Sequence, residues 1–315
     1  MTARARRALV TGAGGFLGRH LVRELERHGT RVTGLVRHGR VGGPHVATGD
    51  APWEPRRLAG IIEDAEPDTV FHLAGGAVGT AAQLDAMNVG LARALMEALE
   101  LARARPLLVC CGSAAEYGSA VTDGAPTPET AACAPSSAYG ASKLAQTRAA
   151  LAFGEATGAR VIVARIFNPI GPGMPPHLAL GAFARQIAAL PPRGGTLRTG
   201  DLDVARDFID VELVARALRL LARHPDAGGV INVCSGRATR LAGLVEMLIA
   251  ASGKPVRPEL DPERVRVGEP RAMFGDPGLL RRLTGGPRET DYPAVTARLW
   301  QDARAHAADL SRGAA

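Results

Sequence analysis

The chain is short of lysine: of its 38 lysine and arginine residues, only Lys143 and Lys254 are lysines. Aromatic residues fill 4% of the 315 positions, too few to line a basic groove with stacking platforms. The net charge of +7 therefore reads as a solvated, arginine-rich surface, and no nucleic-acid partner is expected. Four cysteines, two of them adjacent at Cys110 and Cys111, are too few for a disulfide scaffold and predict a reduced, cytoplasmic setting. No apolar stretch approaches the roughly 18–20 residues of a membrane helix, so no membrane partner is expected. The apolar run behind the first arginines is broken by Gly12, Gly14 and Gly15, which predicts no secretory signal. The eight histidines show no spacing that gathers three ligands, and no metal is expected. Gly112-Ser113-Ala114 does not extend to a G-x-S-x-G elbow, which counts against a hydrolase.

What is present is alternation. Short β-rich runs at 8–10, 31–36, 69–73, 107–111, 161–166 and 230–233 are separated by helical stretches at 17–27, 88–103 and 139–157. Beyond residue 168, clusters of proline and glycine flank helices at 182–189 and 241–251. The fold class is α/β: a Rossmann-type doubly wound parallel sheet with a smaller, discontinuous α/β substrate-binding lobe. Residues 1–167 and 204–235 are expected to form the domain of that sheet, and 168–203 with 236–315 the lobe.

The first strand runs into Thr11-Gly12-Ala13-Gly14-Gly15-Phe16-Leu17-Gly18, which opens a helix. Gly12 suits the tight turn, Gly15 a close approach to a pyrophosphate, and Gly18 close packing of helix on strand. The helix start at Phe16 and Leu17 offers free N–H groups and a partial positive charge to phosphates. At the end of the second strand, Val36 stands where an NAD-preferring site usually has an acid, and Arg37 follows. Arg37 can pair with a 2′-phosphate, so NADP(H) is favoured over NAD(H).

Tyr139 and Lys143 are four residues apart, one helical turn, and share a face. An ammonium one turn away favours phenolate, so the pair can pass a proton to a carbonyl oxygen while a hydride reaches carbon. In a chain with three tyrosines and two lysines, chance is a poor explanation for the pairing. A third member, a hydroxyl at the end of a neighbouring strand, is supplied by Ser113. Tyr117 reads as packing near the substrate, and Cys110 and Cys111 as core strand residues.

These segments resemble the extended short-chain dehydrogenase/reductase family, the group of nucleotide-sugar epimerases, dehydratases and reductases. The resemblance runs over about residues 7–300 and rests on TGAGGFLG (11–18), FHLAG (71–75), Asn88, Ser113, YGASK (139–143), RIFNPIGPG (165–173) and RDFIDV (206–211). GSAAEYG (112–118), FARQIA (183–188) and ARDFIDV (205–211) resemble the reductases of GDP-4-keto-6-deoxy-mannose in particular. The resemblance implies Ser113, Tyr139 and Lys143 as catalytic residues. It implies cofactor contacts at Gly12, Gly14, Gly15, Phe16, Leu17, Gly18, Arg37, Leu73, Ala74, Gly75, Asn88, Tyr139, Lys143 and Phe167, with Asp50 near the adenine. It implies substrate contacts at Ser113, Ala114, Asn168, Arg206 and Arg266, and a homodimer formed through the helices near 88–103 and 139–157.

Two departures from the family pattern stand out. The loop between Gly75 and Asn88 is about five residues shorter than usual, and Asp50 is followed by Ala51-Pro52 rather than leucine. Related dehydratases carry an acid one or two positions after the catalytic hydroxyl; here those positions are Ala114 and Ala115, and Glu116 is one residue too late, on a segment read as strand-like. The cysteine and histidine of the 3,5-epimerase/reductases are replaced by Ala115 and Gly173. The expected activity is NADPH-dependent reduction of the C4 keto group of an NDP-4-keto-6-deoxy sugar. The rival is a 4-epimerase that retains its cofactor, and a non-catalytic NADP-binding sensor is disfavoured because the catalytic trio is intact.

Overall fold

The computed structural model describes residues 5–39, 43–265, 270–286 and 289–313; Arg266 lies outside these described residues. Seven strands, β1 (Arg7–Thr11), β2 (Arg31–Val36), β3 (His45–Ala47), β4 (Thr69–His72), β5 (Leu107–Ser113), β6 (Val161–Ile166) and β7 (Gly229–Val233), form one parallel sheet. Its order is β7-β6-β5-β4-β1-β2-β3, with every neighbouring pair parallel. The chain order reverses between β1 and β4, and the crevice at the carboxyl ends of those two strands is where such sheets bind ligands.

The pleat sends alternate residues of β1 to opposite faces. Ala8 and Val10 pack with Leu21 and Leu25 of helix α1 (Phe16–Arg27), while Leu9 packs with Leu58 and Ile62 of α2 (Pro55–Ala65) and Leu95 and Leu99 of α3 (Leu91–Leu101). Phe153 of α4 (Ala138–Thr157) buries in that second layer, with Leu151 against it, so these side chains face the sheet. Both faces are thus covered, as a parallel sheet requires. The expected helix from residue 88 begins differently: Ala86–Gly90 forms a single π-helical turn, and regular α-helix starts at Leu91.

A third apolar cluster joins Leu180, Phe183 and Ile187 of α5 (Ala179–Ala189) to other elements from the second half of the chain. Helix α6 (Val211–Arg223) returns to the main sheet, placing Leu218 and Leu221 in the α1 layer. The third cluster is completed by Leu244 and Leu248 of α7 (Leu241–Ser252) and Val295, Leu299 and Trp300 of the last helix. Between them, α8 (Gly278–Thr284) sends Leu280 into the core of the main sheet, and the last helix, α9, spans Tyr292–Gly313. Short strands tie this half together: Gly195–Thr199 pairs with Val256–Leu260, and Ala205–Arg206 pairs with both Thr239–Arg240 and Ala272–Gly275. Where the two halves meet, the buried Asp207 carboxylate accepts from Ser235 N and Oγ (both 2.7 Å), Gly236 N (2.8 Å) and Gly275 N (3.3 Å). Burial pushes the Asp207 carboxyl up and these donors oppose the shift.

Among the described residues no helix is long and apolar enough to cross a membrane, and no three histidine, cysteine or acidic side chains cluster as metal ligands.

Candidate active site

The loop between β1 and α1 is built from backbone. Gly12 has φ +67°, and a Cβ there would stand 2.9 Å from Ala74 N; a Cβ on Gly18 would overlap Gly12 O. Gly15 is the N-cap of α1 and brings no capping side chain, so the N–H groups of Phe16, Leu17 and Gly18 have no partner inside the helix. This cradle, which side chains would fill, fits a dinucleotide pyrophosphate. Arg19, which the motif does not mark, closes the back of the loop by donating to Gly14 O and Gly15 O (3.3 Å each).

A hydroxyl and a ring hold the crevice at its switch point. Thr11 Oγ1 accepts from Leu73 N and Ala74 N (3.1 Å each), so its own proton goes to His72 Nδ1 at 2.9 Å. His72 is buried, and desolvation first, then the positive Lys143, lowers its pKa from 6.5 to about 3, keeping the ring neutral. On the far side of Gly75, where a Cβ would overlap Asn88 Oδ1, Asn88 accepts from Gly76 N and donates to Gly76 O (3.0 Å each). Asn88 Nδ2 also donates to Ser142 Oγ (2.9 Å), so the π turn ties the β4 loop to α4. Leu73 and Ala74 thus line the same crevice as the glycine loop, whereas Phe167 is buried against Gly275 further along the sheet.

Helix α4 starts under Ser137, whose hydroxyl accepts from Gly140 N (3.0 Å), and this start carries Tyr139. A Cβ at Gly140 would overlap Ala115 O, so the helix start abuts the turn that follows Ser113. One turn on, the buried Lys143 Nζ donates to Cys111 O (2.5 Å) and to Gln146 Oε1; Gln146 in turn donates to Cys110 Sγ (3.1 Å). Cys110 and Cys111 are core residues, with thiols pushed up to about 11 and about 12, chiefly by burial.

Ser113 ends β5 half-buried, and residues 114–116 form a 3-10 turn rather than continuing as strand. The turn corrects the expected orientation of Glu116. It folds back under Ser113, fully buried, and its Oε1 accepts from Ser113 N (2.7 Å) while Oε2 accepts from Arg165 Nε (2.9 Å) and Thr147 Oγ1 (3.0 Å). Tyr117 is likewise core: its ring lies under the Arg165 guanidinium (4.7 Å), its OH donates to Asn232 Oδ1 (2.7 Å), and burial pushes its phenol up.

Comparison with known proteins gives this arrangement its family. The description "NAD dependent epimerase/dehydratase family" matches residues 8–234. The chain belongs to that family. It is 31% identical to GDP-6-deoxy-D-mannose reductase of Pseudomonas aeruginosa over 89% of this chain and 91% of the relative. It is 35% identical to dTDP-6-deoxy-L-talose 4-dehydrogenase (NAD(P)(+)) of Kitasatospora kifunensis, covering 79% and 80% of the two chains. Among solved structures it resembles RMD from Pseudomonas aeruginosa complexed with NADPH, with a TM-score of 0.81, 30% identity, and 96% and 98% of the two chains covered.

Within this family frame, the residues expected to bind the outer parts of the ligands are spread over two regions. Arg37 Nε lies 3.8 Å from Asp50 Oδ1, and Asp50 Oδ2 is 2.8 Å from His38 Nε2, all three largely exposed beyond the buried Val36. Asn168 donates through Nδ2 to Asp207 O (2.9 Å), and Arg206 Nη1 donates to Ala205 O and Pro270 O (2.9 Å each). Asn168 thus sits on the short strand Asn168–Ile170, which pairs with Phe208–Asp210, and Arg206 on Ala205–Arg206, which pairs with Ala272–Gly275.

Proposed function

We propose that the protein reduces the C4 keto group of an NDP-4-keto-6-deoxy-hexose with NADPH. Its family and relatives make it an NAD(P)-dependent oxidoreductase of the sugar-nucleotide class. The finer reading is carried by what stands beside Ser113. Ala114 and Ala115 hold no proton, and Glu116 is buried beneath the turn and engaged by Arg165 and Thr147. Elimination of water needs an acid next to the catalytic hydroxyl, and these three positions offer none to a substrate.

When bound, NADPH supplies a hydride for carbon 4. Tyr139 donates the proton to the carbonyl oxygen, and Ser113 orients that oxygen. Lys143 spends two of its three N–H donors on Cys111 and Gln146, which leaves one for a ribose hydroxyl. Gly12, Gly14, Gly15, Phe16, Leu17 and Gly18 take the pyrophosphate, with Leu73, Ala74, Gly75 and Asn88 along the rest of the cofactor. Arg37 takes the 2′-phosphate, because Val36 cannot accept a ribose hydroxyl pair, and Asp50 stands at the adenine end beside it. Asn168, Arg206, Arg266 and the turn at Ser113 and Ala114 take the substrate. In this division, 1–167 and 204–235 hold the cofactor, and 168–203 with 236–315 hold the sugar nucleotide. The working unit is a cytoplasmic homodimer, a reading that a monomer in light scattering at micromolar concentration overturns.

The test is a panel of GDP-, dTDP- and UDP-linked 4-keto-6-deoxy sugars with NADPH, followed by absorbance. NADPH consumption tied to one keto sugar supports the reductase; a tightly retained nicotinamide with no net consumption points instead to a 4-epimerase. Tyr139→Phe is expected to lower turnover roughly 10²–10⁴-fold with NADPH binding intact. Near-normal reduction by that variant rejects the mechanism.

A further inference from the structure

The proposed catalytic groups come from two elements: Ser113 ends β5, while Tyr139 and Lys143 ride on α4. Their relative placement is a matter of fractions of an ångström, and packing of an alanine-rich helix on a strand does not by itself set it that finely. Lys143 and Gln146 tie α4 to Cys111 and Cys110, two and three residues before Ser113, and the end of the strand needs a tie of its own.

Glu116 bridges the two. One carboxylate oxygen takes the backbone N–H of Ser113 at 2.7 Å, and the other takes the hydroxyl of Thr147 at 3.0 Å. Thr147 is one helical turn beyond Lys143 and two beyond Tyr139, so it projects from the same side of α4. The second oxygen also takes Arg165 Nε at 2.9 Å, from the neighbouring strand β6. The guanidinium is fixed in turn over the ring of Tyr117, whose hydroxyl is bonded to Asn232 on β7. Even the space beside the carboxylate is reserved, since a Cβ on Gly112 would lie 2.6 Å from Glu116 Oε1. Exposure of the Glu116 and Arg165 side chains is 0% and 5%, so neither reaches substrate or solvent.

We infer that Glu116 is a positioning residue, which, braced by Arg165, sets the place of Ser113 relative to the helix of Tyr139 and Lys143. The inference rests on the reductase reading only for the assay. An epimerase would use the same hydroxyl, and the brace would serve it equally.

Removing one partner leaves a buried, unpaired charge, and such a variant can fail to fold for that reason alone. The decisive variant is therefore the double substitution Glu116→Leu with Arg165→Met, which keeps the volume and removes both charges. It is compared with Thr147→Val and Thr147→Ser. The expected result is a double variant that melts near the wild-type temperature and binds NADPH within about twofold, yet turns over at least about tenfold more slowly. Thr147→Val should show a smaller fall in kcat, restored by Thr147→Ser. Amide hydrogen exchange at Ser113 should be faster in the double variant, a readout that needs no substrate.

A folded double variant with wild-type kcat overturns the inference, and so does unchanged protection of the Ser113 amide. If the double variant does not fold, kcat of the Thr147 pair and Ser113 exchange in Thr147→Val decide in the same way. If the wild type reduces no keto sugar but epimerises a sugar nucleotide, the reductase reading falls and kcat is read on epimerisation. If it turns over neither, Ser113 exchange alone decides whether the brace exists.

Discussion

The arginine–carboxylate pairs Arg37–Asp50 and Arg165–Glu116 differ in nearly everything except charge. Arg37 and Asp50 stand 3.8 Å apart at the outer end of the crevice, with side chains 63% and 72% exposed. Arg165 and Glu116 are 2.9 Å apart and all but sealed from solvent. In water the first pair gains little from its own attraction, which leaves the arginine available to a phosphate. In the interior, the second pair has given up its hydration and depends on its hydrogen bonds to recover that cost. One pair is suited to meeting a ligand, the other to holding a shape.

The contrast is tested most severely by halving the buried pair. Arg165→Met strands the Glu116 carboxylate, and the unfolding free energy should fall by about 3–5 kcal/mol in urea titrations. A loss below about 1 kcal/mol would put the pair in the same class as a surface contact.

His72 extends the contrast, being buried with no counter-ion. Its folded pKa, about 3, lies below the ordinary 6.5, so the unfolded chain takes up the proton first as the pH falls. The contribution of His72 is therefore fully present above about pH 6.5 and is lost between 6.5 and about 3, at up to roughly 1.4 kcal/mol per pH unit. His72→Gln keeps an acceptor for Thr11 and should flatten the acid limb of stability by about one proton. An unchanged slope between pH 4 and 6 would mean that His72 is not what titrates.

The smallest structural effect is expected at the exposed pair. Arg37→Ala should leave stability within about 0.5 kcal/mol of the wild type. It should nonetheless cost NADPH roughly 1.5–3 kcal/mol of binding, a 10- to 150-fold loss of preference over NADH read mainly in the NADPH Michaelis constant. Equal use of both cofactors by the wild type removes this role from Arg37.

The sequence shows the parts of the site whose geometry is local. The glycine loop follows from a strand, a turn and a helix within eighteen residues, and Tyr139 and Lys143 stand one turn apart on the same helix. Val161–Ile166 is legible because a strand buried on both faces has to be apolar nearly throughout. Glu116 is not legible in the same way. Its direction depends on a 3-10 turn three residues long, and its main partner comes 49 residues later on another strand. Helix α6 carries a readable signal in Val211, Val214, Leu218 and Leu221, all buried on one side, but it stands among proline-rich stretches that make the second half of the chain look irregular. The π turn at Asn88 leaves no such pattern, because one extra residue per turn is a feature of the hydrogen bonds and not of residue types.

Asp207 has a consequence for the order in which the chain matures on the ribosome. The main sheet has all its strands once Val233 has emerged, so it can close while the rest is still being made. Two of the donors to Asp207 come from Ser235 and one from Gly236, close behind that strand, but the last comes from Gly275, about forty residues later by the numbering. A nascent chain halted soon after Gly236 would hold a nearly finished sheet and an acid with one donor missing on the side where the second half must land. The fourth donor to Asp207 is thus made only after every strand of the main sheet, so the acid between the two halves is fully satisfied late, once that sheet has all its strands.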